Sequence, residues 1–240
     1  MSYKNFKQTD TKWANDYYSG YTIKSQGCGP TSIADAVYHI DSSITPAKTA
    51  KWMEDNGCSC HGCGTYYSGM VKALKHYGYE GASQINYTNI YGAKNNKQVT
   101  DFLDKIKSGN YVGIACMGKS IWTDSGHYVF IKSYDGKSIK IYDPYNKNDA
   151  CESTTRAKWE PYIKYLFLIP KKLHSIKTTK GGVRIRKEPK VATKTTILGK
   201  IPKGTELPVY NVHKGIKYTY KQVKYQGQTG WIMTTNTKKI

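Results

Sequence analysis

The sequence predicts an α+β domain over residues 1–170 and a small all-β barrel over residues 177–240, joined by a linker at 171–176. In the first hundred residues, apolar side chains recur at the spacing of helices. Short runs of β-branched and aromatic residues follow, which is typical of strands. Beyond Lys177, short strands alternate with Gly and Pro, and this texture is typical of a small barrel.

Helices are expected mainly before residue 110, after an irregular arm over residues 1–26. The predicted ranges are 30–40, 46–55, 66–77 and 97–108. Pro46 occupies a first helical turn, where its ring is tolerated, and Gly78 and Gly109 stand where helices commonly end. The first of these helices therefore begins close to Cys28.

Strands are expected in the rest of the first domain, at 111–116, 127–131, 138–143 and 165–169. Asp135-Gly136 is a hairpin turn signal between the second and third of these strands. Helices followed by an antiparallel sheet define the α+β class.

The charge is strongly basic and unevenly distributed. The chain carries 37 Lys+Arg against 17 Asp+Glu, a formal net charge of +20. Residues 171–240 hold 17 Lys+Arg and 2 Asp+Glu, so this segment alone carries +15. Such a segment implies an anionic partner, which is a nucleic acid, an anionic membrane face or an acidic cell-wall polymer.

The N-terminus offers no apolar core of a secretory signal, and no apolar run approaches the roughly 20 residues of a membrane span. We therefore expect synthesis in the cytosol, where an obligatory disulfide framework is disfavoured.

Cys28 is the candidate nucleophile. It stands at or just before a helix N-terminus, where unpaired N–H groups and the helix dipole favour a thiolate. The flanking Gly27 and Gly29 leave the sulfur uncovered by neighbouring side chains. A small buried thiol beneath the helix is the alternative.

His127 is the histidine that the strand pattern places beside a carboxylate. It begins one predicted strand, and the next strand ends at Asp143. A three-residue loop at 135–137 sets Val129 opposite Asp143, and His127 then lies diagonally on the same face. A two-residue loop places His127 and Asp143 on opposite faces.

The cluster Cys58-Ser59-Cys60-His61-Gly62-Cys63 offers Cys58, Cys60, His61 and Cys63 as weak candidates for metal ligands. Zinc sites usually take two ligand pairs from separated stretches, whereas these four lie within six residues. A loop with free or loosely paired thiols is therefore favoured over a metal site.

Three boxes of residues occur in the order typical of one enzyme family. They read Gly27-Cys28-Gly29-Pro30-Thr31-Ser32, Gly126-His127-Tyr128-Val129-Phe130-Ile131 and Tyr142-Asp143-Pro144. An upstream Gln-x-Asp-x-x-Trp box is matched by Gln8, Asp10 and Trp13. Together they resemble the C-thirty-nine-like branch of the papain-like cysteine peptidases, which implies a papain-like α+β fold for residues 1–170.

The resemblance implies a role for each matched residue. Cys28 is the nucleophile, His127 the general base and then acid, and Asp143 the group that orients the imidazole. The backbone N–H of Cys28 and a side-chain amide, assigned to Gln8 rather than Gln26, would hold the oxyanion.

The substrate-binding residues are predicted to be Gly126 and Trp122. No cofactor is expected.

The basic segment resembles a bacterial SH3-like domain, a class that commonly binds cell walls. The similar stretches are Gly182-Val183-Arg184-Ile185-Arg186, Ile197-Leu198-Gly199, Ile201-Pro202-Lys203-Gly204-Thr205 and Gly227-Gln228-Thr229-Gly230-Trp231-Ile232. Tyr218 or Tyr220 stands where that family often has Trp.

A cysteine hydrolase joined to a basic wall-binding barrel has the layout of a bacteriophage endolysin. This layout implies cleavage of an amide bond in Gram-positive peptidoglycan by a monomer that is made in the host cytoplasm and acts on the wall after release. Peptidoglycan and its anionic polymers are the expected partners, without nucleic acid or membrane insertion. The alternatives are a cysteine protease acting on a protein or leader peptide, and a non-catalytic wall- or nucleic-acid-binding protein.

Overall fold

The computed structural model describes residues 3–85, 94–145, 152–190 and 196–240. This described chain divides into two compact units. The first comprises Met1–Tyr77 and Gly81–Pro170, and the second comprises Gly78–Glu80 and Lys171–Ile240. The main boundary therefore falls after Pro170.

The helices of the first unit in the described residues are α1 (Ile23–Gln26), α2 (Cys28–Val37), α3 (Pro46–Asp55), α4 (Tyr67–His76), α5 (Lys97–Lys107) and α6 (Arg156–Trp159), with a 3-10 turn at Glu160–Tyr162. Four of them, α2 to α5, lie close to predicted positions, whereas α1 lies in the segment predicted to be an irregular arm and α6 was not predicted. Thr45 caps α3 by accepting the Lys48 N–H at 3.4 Å, and Asn96 caps α5 by accepting the Gln98 N–H at 2.8 Å. No helix in the described ranges has the length and apolar character needed to cross a membrane.

The strands of the first unit include short ones that the sequence pattern did not reveal. They are β1 (Tyr17–Tyr18), β2 (Tyr21–Thr22), β3 (Ser59–Cys60), β4 (Gly64–Thr65), β5 (Ser83–Ile85), β6 (Tyr111–Met117), β7 (His127–Tyr134), β8 (Ser138–Tyr142), β9 (Ser153–Thr155) and β10 (Ile163–Pro170). The main sheet is antiparallel in the order β5-β10-β6-β7-β8-β9. Short hairpins pair β1 with β2 and β3 with β4.

The register between β7 and β8 agrees with the prediction near the site, but for a different reason. The turn is tighter than expected, because the Asp135 N–H bonds the Ser138 carbonyl at 3.3 Å across a two-residue loop. A β-bulge between Ile131 and Ser133 supplies the missing residue. Phe130 consequently pairs with Tyr142, which sets the next residue, Val129, opposite Asp143.

One face of the main sheet packs against α5 in a dry core. Its fully buried members include Val99, Phe102, Ala115, Met117, Trp122, Val129, Trp159 and Leu166. Strand pairing and this core together fix the positions of the ends of β7 and β8.

The second unit is a single antiparallel sheet in the described residues. Its strands are β11 (His174–Thr178), β12 (Val183–Arg186), β13 (Ile197–Ile201), β14 (Glu206–Lys214), β15 (Thr219–Tyr225), β16 (Gln228–Met233) and β17 (Thr237–Lys239), in the order β13-β12-β16-β15-β14-β11-β17. Within those residues no pairing joins the two outer strands, so the expected closed barrel is not seen. Residues 174–176, assigned to a linker from sequence, belong to β11 because they pair with Leu207–Val209.

We expect Gly113→Ala to destabilise the first unit. A Cβ at Gly113 would overlap the Phe102 ring and lie 3.1 Å from the Phe167 carbonyl oxygen. Overpacking of this kind costs about 1–3 kcal/mol, measurable by chemical denaturation. Gly126→Ala is the matched control, since its Cβ would meet open space. Equal stability of the two variants would contradict this packing.

Candidate active site

Cys28 is the first residue of α2 and is held there by close packing of the preceding turn. The Gly27 N–H bonds the Ile23 carbonyl at 2.8 Å, and the Gly27 carbonyl accepts the Thr31 N–H at 3.0 Å. A Cβ at Gly27 would overlap the Ile23 carbonyl oxygen, so this position requires glycine. The partly exposed Cys28 thiol therefore lies at a helix N-terminus, as the sequence predicts.

Gly29 makes a close contact that the sequence analysis missed. Thr65 packs so near its Cα that a Cβ would lie 2.8 Å from the Thr65 Cβ. The Thr65 hydroxyl hydrogen-bonds the Tyr18 hydroxyl at 2.6 Å, and its carbonyl accepts the Tyr128 hydroxyl at 3.1 Å. No local sequence motif indicates these partners, which come from three separate elements.

His127 and Asp143 form the central polar contact of the site. His127 Nε2 lies 2.6 Å from Asp143 Oδ1, and the side chains are 6% and 0% exposed. The Tyr145 N–H donates to the same carboxylate oxygen at 3.0 Å. Because Nε2 faces Asp143, Nδ1 is the ring nitrogen available for the hydrogen bond between His127 and Cys28.

The pKa of Cys28 is lowered and that of His127 is raised, and both shifts favour an ion pair between the two side chains. Burial alone raises the Cys28 pKa, but the hydrogen bond and charge of His127, with the Tyr128 and Gly29 N–H groups, bring it below its ordinary value. Burial alone lowers the His127 pKa, but hydrogen bonds to Asp143 and Cys28 raise it to about 9. The site thus favours a thiolate beside an imidazolium at neutral pH.

Gln8 lies between the nucleophile helix and the Asp143 turn. Its backbone N–H donates to the Pro144 carbonyl at 2.8 Å. Its side-chain Nε2 donates to the carbonyls of Ile23 at 3.3 Å and Lys24 at 2.7 Å. Both amide hydrogens are therefore engaged, and Gln8 must release or share one of them to bind an oxyanion.

The two predicted substrate-binding residues differ in position. Gly126 is exposed directly before His127, with open space where a side chain would project. Trp122 is 1% exposed and lies in the core beneath the sheet, so its role in this conformation is packing rather than substrate contact.

The cysteine-rich loop is closed by a disulfide between Cys60 and Cys63. Cys58 is a buried thiol whose pKa is raised by burial. The His61 ring lies against Tyr21, with ring centroids 6.0 Å apart. Among the described residues, no group of three or more His, Cys, Asp or Glu side chains is arranged to hold a metal ion.

Asp143→Asn should lower the pKa of His127 by about one unit or more, because the bond to Asp143 raises that pKa while burial lowers it. The titration can be followed by NMR of ring-labelled histidines, with His127 identified by the signal lost in His127→Gln. A midpoint unchanged near pH 9 in Asp143→Asn would contradict the assigned pairing.

Several solved structures show a distant similarity to this chain. A C39-like peptidase from Bacillus anthracis is 17% identical over 60% of this chain and 88% of its own, with a TM-score of 0.44. The peptidase domain of Streptococcus ComA, a bifunctional ABC transporter of a quorum-sensing pathway, is 20% identical over 61% and 93%, also at 0.44. Ly7917, solved with the hydrolysis product of MDP, is 14% identical over 88% of each chain, at 0.28.

These scores are too low to carry an argument about function, and comparison with curated proteins gives no match. The Peptidase_C39 like family, however, matches residues 1–166, which is more than half of the chain. The chain thus belongs to the Peptidase_C39 like family, with a cysteine peptidase domain as its first unit.

Proposed function

We propose that this protein is an endolysin that hydrolyses an amide bond in peptidoglycan, with Cys28, His127 and Asp143 as its catalytic triad. The observation that carries the catalytic part is the convergence of Cys28, His127 and Asp143, with 2.6 Å between the ring and the carboxylate and a Cys28 pKa that His127 lowers. The Peptidase_C39 like family supports the cysteine peptidase chemistry.

The reaction follows from the protonation states of the site. The Cys28 thiolate attacks the amide carbon, a C–S bond forms, and the carbonyl oxygen becomes an oxyanion facing the N–H groups at the start of α2. The His127 imidazolium gives its Nδ1 proton to the leaving nitrogen as the C–N bond breaks. Neutral His127 then takes a proton from water as the water oxygen attacks the thioester; the C–S bond breaks, a carboxylic acid leaves, and the Cys28 thiolate and His127 imidazolium are restored.

Asp143 keeps its hydrogen bond to Nε2 throughout this sequence. It fixes the ring orientation and stabilises the imidazolium, without accepting the proton itself.

Substrate would approach from the open side at Gly126. Exposed aromatic rings are a second candidate contact surface. Tyr66 and Tyr67 directly follow Thr65, which contacts Gly29, and Tyr66 is 49% exposed. The Tyr67 ring lies 3.6 Å from that of Tyr165, centroid to centroid. Amphipathic rings of this kind suit an extended peptide or the apolar face of a sugar.

The basic second unit supports a role in wall binding. Its charge of +15 over residues 171–240 attracts anionic wall polymers and raises the enzyme's local concentration at bonds fixed in a mesh. An SH3-like wall-binding role for this unit, synthesis in the host cytoplasm and action after release complete the proposal.

The family match also favours a second candidate, a protease that acts on a protein or leader peptide. Both candidates use the same triad, so substrate tests distinguish them. Cleavage of a leader peptide with no release of wall fragments would favour the protease.

Cys28→Ala should abolish lysis of purified Gram-positive walls while wall binding survives, because only the attacking sulfur is lost. Turbidity reports lysis, co-sedimentation reports binding, and mass spectrometry of released fragments identifies the bond. Cys58→Ala is the control, since this thiol lies outside the triad. Undiminished lysis by Cys28→Ala would refute the catalytic assignment.

Wall binding should weaken about tenfold or more when NaCl rises from about 50 to 500 mM, because salt screens exposed charges. The test uses full-length Cys28→Ala with three exposed lysines of the second unit changed to Gln, at positions Lys200, Lys203 and Lys224. A charge-matched control changes exposed lysines of the first unit instead, at positions Lys51, Lys97 and Lys158. Equal binding by both triple variants would contradict electrostatic targeting through the second unit.

A further inference from the structure

The segment of residues 5–8, here called the N-terminal strap, connects the two halves of the candidate site. On the nucleophile side, the Phe6 N–H donates to Asp35 Oδ1 of α2 at 2.7 Å. On the other side, the Gln8 N–H donates to the carbonyl of Pro144, the residue after Asp143. Phe6 and Gln8, two residues apart, therefore bond to the helix that carries Cys28 and to the turn that carries Asp143.

Lys7 lies at the centre of the strap, and its ammonium uses all three of its donors. Nζ lies 2.9 Å from the Asp143 carbonyl oxygen, 3.1 Å from Asn5 Oδ1 and 2.9 Å from Glu152 Oε1. The Lys7 side chain is 26% exposed, so this is a partly desolvated contact rather than a loose surface pair. The Asp143 backbone is thereby held from outside the sheet.

The Lys7 charge also compensates the Glu152 carboxylate. The pKa of Glu152 lies below its ordinary value, mainly through its hydrogen bond to Lys7, and the charge of Asp143 opposes this shift. Two carboxylates therefore face the same region, and the Lys7 ammonium bonds to one of them and to the backbone of the other. Without it, an uncompensated anion would lie close to the triad.

The far end of the strap is anchored by a buried acid. Asp35 is fully buried two turns beyond Cys28, and burial raises its pKa well above the ordinary range despite the Phe6 N–H and the nearby Lys7 charge. A strap fixed at this end transmits any displacement of Lys7 to the relative placement of α2 and the Asp143 turn.

We propose that Lys7 is a positioning residue for the catalytic triad: it holds the Asp143 backbone through the carbonyl oxygen and compensates Glu152, which keeps the Asp143 carboxylate aligned on His127. The inference rests on the catalytic roles proposed above for Cys28, His127 and Asp143. Lys7 touches none of the reacting atoms and acts only through Asp143.

Loss of Lys7 is expected to raise the Cys28 pKa in two ways. A displaced Asp143 holds the imidazolium less well, which removes the positive partner of the thiolate. Glu152 also loses the ammonium that compensates its negative charge. Both changes raise the Cys28 pKa, so less thiolate is present at neutral and mildly acidic pH.

The test measures alkylation of Cys28 by iodoacetamide between about pH 4 and 10, with peptide mass spectrometry to separate Cys28 from the buried Cys58 and Cys116. Lys7→Met should raise the midpoint of Cys28 alkylation by about one pH unit and slow the reaction about tenfold below it, since one pKa unit is a tenfold change in thiolate. Lys7→Arg should restore most of the rate by keeping the charge and the donors.

The double variant Lys7→Met with Glu152→Gln should recover the part of the shift due to the Glu152 charge. Lys97→Met is the matched control, because it removes an exposed ion pair with Asp101 far along the chain. If Lys7→Met does not fold, Lys7→Gln replaces it, with the same expected shift.

An alkylation profile that matches the unmodified chain in a folded Lys7 variant would overturn the proposal, even where the melting temperature falls, because that result marks a purely structural role. The readout needs no wall substrate, so inactivity on peptidoglycan leaves it intact. A wild-type Cys28 that titrates at the ordinary thiol pKa would instead refute the triad itself.

Discussion

The hydrogen bond between His127 and Asp143 is the interaction on which the rest of the site depends. It joins two side chains that are almost entirely withdrawn from water, at 2.6 Å. A charged pair in such surroundings is stable only with good geometry and further hydrogen bonds. Strand pairing places the two backbones, the Tyr145 N–H donates to the same carboxylate oxygen that faces His127, and residues 5–8 hold the turn that follows β8. The shifted pKa values of His127 and Cys28 both derive from this arrangement.

Much of the fold was predictable because its signals are local. The helix over Pro46–Asp55 has a proline in its first turn and an apolar stripe, and its bounds agree with the prediction. The strands Ser83–Ile85 and Ser153–Thr155 were missed because three residues carry too little alternation to stand out. In the second unit, strand positions followed the Gly and Pro punctuation. Whether the sheet closes depends on long-range pairing, which that punctuation does not encode.

In the candidate site, too, features with local sequence signals were predictable and contacts set by tertiary packing were not. The location of Cys28 at a helix start could be predicted from the local pattern. The convergence of His127 with Asp143 was predicted from a three-residue loop, whereas the structure reaches it through a two-residue loop and the bulge after Ile131. Contacts set by tertiary packing have no such local pattern. Trp122 is buried, the Gln8 amide donates to backbone carbonyls, and Thr65 of a separate hairpin packs against Gly29. The sequence likewise did not predict the Cys60–Cys63 disulfide, because the same cysteine spacing is compatible with free thiols, metal ligands or a disulfide-closed loop.

The bulge at Lys132 has a consequence for how this hairpin can diverge. Successive side chains of a strand point to opposite faces of the sheet. A change of one residue in the length of the loop between β7 and β8 would therefore ordinarily place Asp143 on the face opposite His127. Here the compensating residue sits in an exposed stretch, apart from both members of the pair. A one-residue change in the length of the β7–β8 loop can therefore be offset by gain or loss of the bulge at Lys132. The outer half of the hairpin is free to vary while His127 and Asp143 keep their pairing.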